Sequence, residues 1–438
     1  MSVFSVRGIL AASLLCITVQ SIAQTNTQEG KSNKENDPYS RYGLGEPISG
    51  TNVLNRGMGY TTTAFQNASA VNTENPASYS SLRLTTYEAA FTGGLRNILT
   101  DNKTYNTGSA SFAYLRVGIP LTKHAGMAFG LQPQSHIFYH SVDTANVLVD
   151  EPSGHSVYNR VASEYTGEGG LNYAFIGGAG KVGGFSFGAN FGYMFGNIRN
   201  TSRIVNLDST HVLGSDFSKY TRIGGIYWKG GIQYHDTLKN GWHLRIGATA
   251  AISQQLNGSR ESYSSSFFYN SGSEIQDTAY RTTGQSGKII LPATYSLGAQ
   301  LGGGNWSVAV DGMYTDWSVY RNYDVPDSVK SNTMRINFGG EYTPDPTKVY
   351  GYFQRVTYRA GFYYGTDYVQ LRNTDMSYYG FTLGASFPFK RSPDRIHTAF
   401  EFGRRGTQAN GLVQMNYFKF HLGISLNDRW FIKRTRYD

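Results

Sequence analysis

From Phe185 to Phe195 the chain alternates without a break. Phe185, Phe187, Ala189, Phe191, Tyr193 and Phe195 share one parity, while Ser186, Gly188, Asn190, Gly192 and Met194 share the other. A period of two puts the first set on one face of a β-strand and the second on the opposite face. The same alternation returns at Trp242–Ile252, Trp306–Tyr314, Met334–Tyr342, Val356–Tyr364 and Phe418–Leu426, and no segment carries a 3.6-residue period. Such a chain must fold as sheet. Fourteen candidate strands follow, centred near residues 90, 113, 129, 171, 191, 226, 248, 296, 312, 338, 360, 383, 400 and 421.

The polar parity separates a soluble sandwich from a membrane barrel. A sandwich turns its apolar face inward and needs a charged exterior, but only 16% of these residues are charged, and 52 are glycines. No stretch past residue 25 approaches the roughly 18–20 apolar residues of a membrane helix. Short connections fall after the even-numbered strands, at 120–123, 181–184, 236–241, 302–305, 343–349 and 391–394. Long loops are expected after strands three, five and seven, around 140–163, 200–217 and 257–283. An even strand count with short turns on one rim and long loops on the other describes an outer-membrane antiparallel β-barrel. Both termini and the short turns then face the periplasm. Trp228, Trp242, Trp306, Trp317 and Trp430 are expected near strand ends or edges, as for aromatic girdles at the two membrane interfaces.

Charges inside the strands keep to one parity. Glu88, Lys229, Arg245, Asp311, Arg335, Glu341, Arg355, Arg359, Glu401 and Lys419 all oppose the apolar face of their own strand. A lipid-facing Arg or Lys at mid-depth costs about 2–4 kcal/mol, so these groups are expected to face the lumen. Six are basic and four acidic, a balance suited to ion pairs that brace the wall or a plug.

The N-terminus reads as an export signal. Arg7 supplies the positive region, Ile9–Val19 the apolar run and Ser21-Ile22-Ala23 a small-residue cleavage site, giving a signal peptide over residues 1–23. The single cysteine, Cys16, falls inside it, so neither disulfides nor thiolate metal sites are expected afterwards. Residues 24–36 are polar and lack periodicity, and are expected to form a flexible periplasmic leader. Residues 37–81 neither alternate nor repeat helically, and are too long for a loop in a compact domain. Irregular backbone is tolerated at membrane depth where protein surrounds it, so this segment is expected inside the lumen as a plug, with the barrel over 82–438.

Within that segment Gly57-Met-Gly59, Ala64, Ala68, Ala70 and Asn75-Pro76-Ala77 resemble the plug of the long-chain fatty-acid transporter (FadL-type) outer-membrane family. Leu291-Pro-Ala-Thr-Tyr-Ser-Leu-Gly298 and Asp311-Gly-Met-Tyr-Thr-Asp-Trp-Ser-Val-Tyr320 resemble a second stretch of it. The opening Asp37-Pro-Tyr-Ser-Arg-Tyr-Gly-Leu-Gly45 and the closing Asn427-Asp-Arg-Trp-Phe-Ile-Lys-Arg434 resemble its Bacteroidota members. The resemblance implies a fourteen-stranded plugged barrel for passive uptake of hydrophobic molecules, with lateral exit where the third strand kinks. Here that strand holds Pro133, which cannot donate to a ladder and is the candidate lateral gate. A bulge or strand end at Pro133 is the plainer alternative.

The polar lumen face offers no evident apolar ligand shelf, unless Phe267, Phe268 and Tyr269 supply one from a loop. The alternative function is therefore a non-transporting barrel subunit of a secretion or assembly complex, in company with other envelope proteins.

No catalytic motif is present. Gly284-Gln-Ser-Gly287-Lys288 lacks the spacing of a phosphate loop, and there is neither a zinc motif nor a nucleophile elbow. His136 and His140 would stand about 13 Å apart on a strand, too far to share a metal. No cofactor, metal or nucleic-acid partner is expected. The ten Lys or Arg against four Asp or Glu from Lys390 to Asp438 suit lipid phosphates or an acidic partner.

Overall fold

The computed structural model describes residues 36–430 apart from 102, 151–155, 209–212, 240, 271–272 and 349; the expected signal peptide, most of the leader and the last eight residues lie outside this set. The wall begins with β1 (Thr85–Leu99), β2 (Thr104–Pro120), β3 (Ala125–Asp150), β4 (Ser156–Val182), β5 (Phe185–Asn206) and β6 (Gly214–Thr237). Two strands are interrupted: β7 runs His243–Ala251 and Gln254–Asn270, and β8 runs Ser273–Leu291 and Ala293–Gly303. Pro292 explains the break in β8, since it has no N–H to give the ladder. The wall ends with β9 (Trp306–Asp316), β10 (Asn332–Tyr342), β11 (Thr357–Leu371), β12 (Thr374–Pro388), β13 (Arg395–Gly406) and β14 (Gln414–Asp428).

Neighbours pair antiparallel throughout, and β14 returns to β1 from Gln414↔Leu99 to Asp428↔Thr85, closing a fourteen-stranded barrel. All fourteen sequence-derived centres fall inside these strands. The outer surface carries the apolar parity. Phe187, Phe191, Ile226, Leu297, Phe338, Phe381 and Leu422 are exposed there, while Ser186, Asn190, Gln233, Asn337, Thr382 and His421 are buried on the lumen side.

Four expectations need correction. The chain does not enter the barrel from the short-turn side: Asn36 exchanges hydrogen bonds with the His140 backbone and Asp37 N donates to Phe138 O, far along β3 from its short turn, so the last leader residue lies on the long-hairpin side. The supposed long loops are mostly strand, for β3 reaches Asp150 and β4 starts at Ser156, and these two strands have 26 and 27 residues. A barrel strand crosses a bilayer in about 9–11 residues, so β3–β8 project well beyond it on the long-hairpin side. Out there both faces are wetted, and the apolar parity that marks a strand is lost. Arg355 belongs to no strand, because it ends a 3₁₀ turn, Tyr352–Arg355, before β11. Trp228 lies well inside β6, stacked on Phe191.

Candidate functional site

Residues from Asp37 to Ser80 contact the lumen side of the wall at three levels. At the long-hairpin end, Asp37 sits between Arg96 at 3.0 Å and Arg405 at 2.9 Å. Arg405 is also paired with Asp367, and Arg96 with Glu46 at 3.0 Å. The Tyr39 hydroxyl donates to the Val413 carbonyl at 2.6 Å.

At mid-depth a short helix, Val53–Arg56, starts from Asn52, whose side chain accepts from Asn55 N. Arg56 reaches Thr92 Oγ1 and His421 Nδ1, both at 3.0 Å. Glu401 gathers Tyr60 Oη and Tyr363 Oη, each at 2.5 Å, and His421 Nε2 at 3.0 Å. The Arg335 guanidinium lies over the Tyr60 and Tyr363 rings at 4.7 and 4.5 Å. Asp311 Oδ2 accepts the backbone N–H groups of Thr62 and Thr63 at 2.6 and 2.8 Å. The wall and plug backbones nearly touch here: Gly59 has a φ of +64°, and a methyl added at Gly361 would stand 2.1 Å from Gly59 N. Only glycine fits both demands.

At the short-turn end, Asn75 caps the turn Pro76–Ser81 and donates to the carbonyls of Thr63 and Ile232. Ala77 is fully buried. Gly57, the other residue of the expected motif, closes the Val53–Arg56 helix and backs onto Gly384. Glu88 accepts from Val71 N at 3.0 Å, and Lys229 pairs with Glu74 at 2.5 Å. Burial opposes charge on Glu74, but the Lys229 ammonium and its hydrogen bond hold the carboxyl below the usual carboxylate range.

Most lumen charges thus meet the plug or each other. Glu341 pairs with Arg359 at 3.0 Å, and Arg359 donates on to Ser386 at 2.5 Å. Arg245 touches Gln300 at 3.4 Å. Ser386, His397 and Ser425 form a hydrogen-bonded row at 2.7 and 3.0 Å, but all three are buried, and Ser386 is already engaged by Arg359.

Sequence reasoning missed an apolar cluster on the lumen faces of β3–β8. Ile137, Leu171, Tyr173, Phe175, Met194, Ile198, Ile223, Leu256 and Ile289 pack with Val71, Tyr79 and Leu82 of the plug and its junction to β1. The available signal was the run Ala174-Phe175-Ile176, where apolar residues occupy both parities at once. These side chains are packed against one another, each at most 6% exposed. An apolar groove of about 910 Å³ lies on the lipid-facing wall among Phe187, Ile232, Leu297 and Tyr314. Phe267 is buried in β7, and Phe268 beside it is exposed.

The wall is not uniform. The β2–β3 ladder runs from Pro120↔Gly126 only to Leu115↔Leu131, although both strands continue. On its other side β3 stays paired with β4 through Pro133↔Asn172, then shifts register before Ser135↔Leu171. The edge that β3 withdraws from β2 is taken by the plug. Glu46 and Pro47 pair with His136 and Ser135, Ile48 N donates to Gln134 O, and Asp37 N donates to Phe138 O. Behind Leu131, Gln132 is buried against Thr73 and Gly50. Pro133 therefore marks both a bulge and the end of one ladder.

These features define a plugged, closed, fourteen-stranded antiparallel β-barrel. It resembles the toluene transporter TodX of Pseudomonas putida at 14% identity and a TM-score of 0.54, over 88% of this chain and 99% of that one. It resembles the Ralstonia pickettii toluene transporter TbuX at 14% identity and 0.56, over 87% and 99%. A Pseudomonas aeruginosa FadL homologue is similar at 13% identity and 0.56, over 88% and 100%. At such identities the likeness is one of fold. No curated protein matches the chain by sequence. The BamG family model matches residues 5–438, and the chain belongs to the BamG family.

Proposed function

We propose that this barrel serves as a sealed, non-transporting subunit of an outer-membrane assembly or secretion complex. The observation that carries this reading is the seating of the plug. Buried ion pairs, backbone N–H groups on Asp311 and direct backbone approach at Gly59–Gly361 fix it at every level. Apolar lumen residues that might have lined a ligand pocket are packed as a core instead. Removing one partner of a buried ion pair costs about 3–5 kcal/mol, so opening such a lumen by moving the plug is expensive. Membership of the BamG family agrees with this reading. On it, residues 1–23 are the export signal, 24–36 a leader, 37–81 the plug and 82–438 the barrel, and the source is a member of the Bacteroidota.

A second reading, passive uptake of hydrophobic molecules with lateral exit at the third strand, is favoured by one specific observation. The β2–β3 ladder ends at Leu115↔Leu131 beside Pro133. The two readings part in vesicles that carry the purified chain. The subunit reading expects a fluorescent fatty acid and toluene to equilibrate no faster than across protein-free vesicles. It also expects stoichiometric co-purification with other outer-membrane proteins from native envelopes. Accelerated flux that a disulfide across the β2–β3 gap abolishes would establish uptake instead.

A further inference from the structure

On the long-hairpin side Arg160 pairs with Asp208 at 2.7 Å, Arg203 with Glu274 at 2.5 Å, Arg222 with Glu261 at 3.3 Å and Lys330 with Asp375 at 2.8 Å, while Lys103, Arg281 and Arg372 are exposed without an ion pair among the described residues. On the short-turn side Lys123, Lys239, Lys348, Lys390, Arg391 and Arg429 are all exposed. Among the described residues none of these six has an acidic side chain within ion-pair distance.

Acids are present on that rim but are engaged in capping their own turns. Asp345 accepts from Thr347, Asp394 from Ser392 and Asn427 N, Asp428 from Arg429 N, and Asp236 from Thr237 N. None of these hydrogen bonds comes from the side chains of the six cations, although Asp345 lies near enough to Lys348 to feel its charge.

Their placement narrows the partner. They stand in the β2–β3, β6–β7, β10–β11 and β12–β13 turns and just beyond β14, so they encircle the barrel. A docked protein would need such charge on one side only, whereas a lipid leaflet meets the whole circumference. Exposed aromatic residues stand beside them in the chain: Trp242 near Lys239, Tyr350 near Lys348, Phe389 before Lys390 and Trp430 after Arg429. Aromatic rings and cations at one level mark the depth of lipid head groups.

We propose that this rim is a phosphate-binding collar that engages anionic phospholipid head groups of the periplasmic leaflet and sets the barrel's depth and tilt there. Each ammonium or guanidinium meets a head-group phosphate as a charge-assisted hydrogen-bond donor, while the neighbouring ring rests on the acyl–head-group boundary.

The test uses the full chain in mild detergent, titrated with phosphatidylglycerol or phosphatidylcholine of identical acyl chains and read by native mass spectrometry. The wild type should retain phosphatidylglycerol about tenfold more tightly, as expected for several cations acting at an anionic surface. Lys123→Gln/Lys239→Gln/Lys348→Gln/Lys390→Gln should lose that preference while keeping its heat-modifiable gel shift and its phosphatidylcholine binding. Arg160→Gln/Lys330→Gln, on the opposite rim, should keep it. Equal affinity of the wild type for the two lipids, or a preference that survives the quadruple substitution, would overturn the collar. Salt-sensitive binding of polyglutamate without any lipid preference would overturn it in favour of an acidic protein.

Discussion

Asp311 offers the sharpest test of how the plug is held. Its Oδ2 alone accepts the N–H groups of Thr62 and Thr63, and Gly298 leaves the space into which the carboxylate turns. Asp311→Ala orphans two buried donors at about 1–3 kcal/mol each, so about 2–6 kcal/mol in all. At 1.4 kcal/mol per tenfold, local opening of the plug should rise at least roughly 30-fold. Asp311→Asn keeps an oxygen for both donors but loses the charge, which about doubles a hydrogen bond, so roughly half the effect should remain. Hydrogen exchange of the Thr62 and Thr63 amides in the detergent-solubilised barrel reads this directly, with the amides of β12 as an internal reference. If Asp311→Ala leaves both amides within about threefold of wild type, or if Asn and Ala act alike, the carboxylate is not what holds this turn.

Gly361→Val should unseat the middle of the plug, because its Cβ would stand 2.1 Å from Gly59 N, and trypsin should then cleave after Arg56. Gly178→Val is the control, since the nearest atom to its Cβ is 4.0 Å away, and it should stay resistant. The Glu74–Lys229 pair predicts an acid limit. A carboxyl whose folded pKa is lowered stabilises the fold fully above its unfolded value of about 4.3, and that contribution fades as pH falls through the folded value. Exchange at Thr73–Asn75, corrected for intrinsic rates, should therefore be flat from pH 7 to about 5 and accelerate toward pH 3, whereas Lys229→Gln should lack this acid-dependent rise. Pro133→Ala should not re-zip β2 to β3, because Glu46–Ile48 already occupy that edge. Unchanged exchange across Gly108–Phe112 is the expected result, and new protection there would show that the proline alone keeps the strands apart.

Much of the wall was legible because lipid contact writes a strict period of two into the sequence, with apolar residues outward. Parity alone puts Asp311, Arg335 and Glu401 opposite the apolar face; their contacts include the Thr62 and Thr63 amides for Asp311 and Tyr60 for Arg335 and Glu401. The information stops where that constraint stops. Beyond the bilayer, β3–β8 have no parity to read, so strand passed for loop. Arg355 kept the right parity by chance, since a turn has no parity to obey. The break at Pro292 could be anticipated from its missing N–H, but nothing local announces the interruption at Ile252–Ser253. The Tyr60–Glu401–His421 junction joins residues more than 300 positions apart and has no local signature. The lumen cluster around Tyr173 and Met194 was missed because it follows from having a plug to pack against, not from the strands themselves.

The closing ladder has a consequence for the order of events in folding. The plug precedes every strand in the chain, yet it touches strands from β1 to β14. Seating it while the cylinder is still an open sheet avoids threading it into a finished wall, and leaves the β14–β1 seam, which joins residues at opposite ends of the wall, as the natural last step. Until Gln414–Asp428 arrive, the Arg96–Asp37–Arg405 cluster has no completed cage around it. A chain stalled before β14 would present its plug to any protease or chaperone on the way to the membrane, so the time to make that final seam measures how long the nascent barrel needs protection.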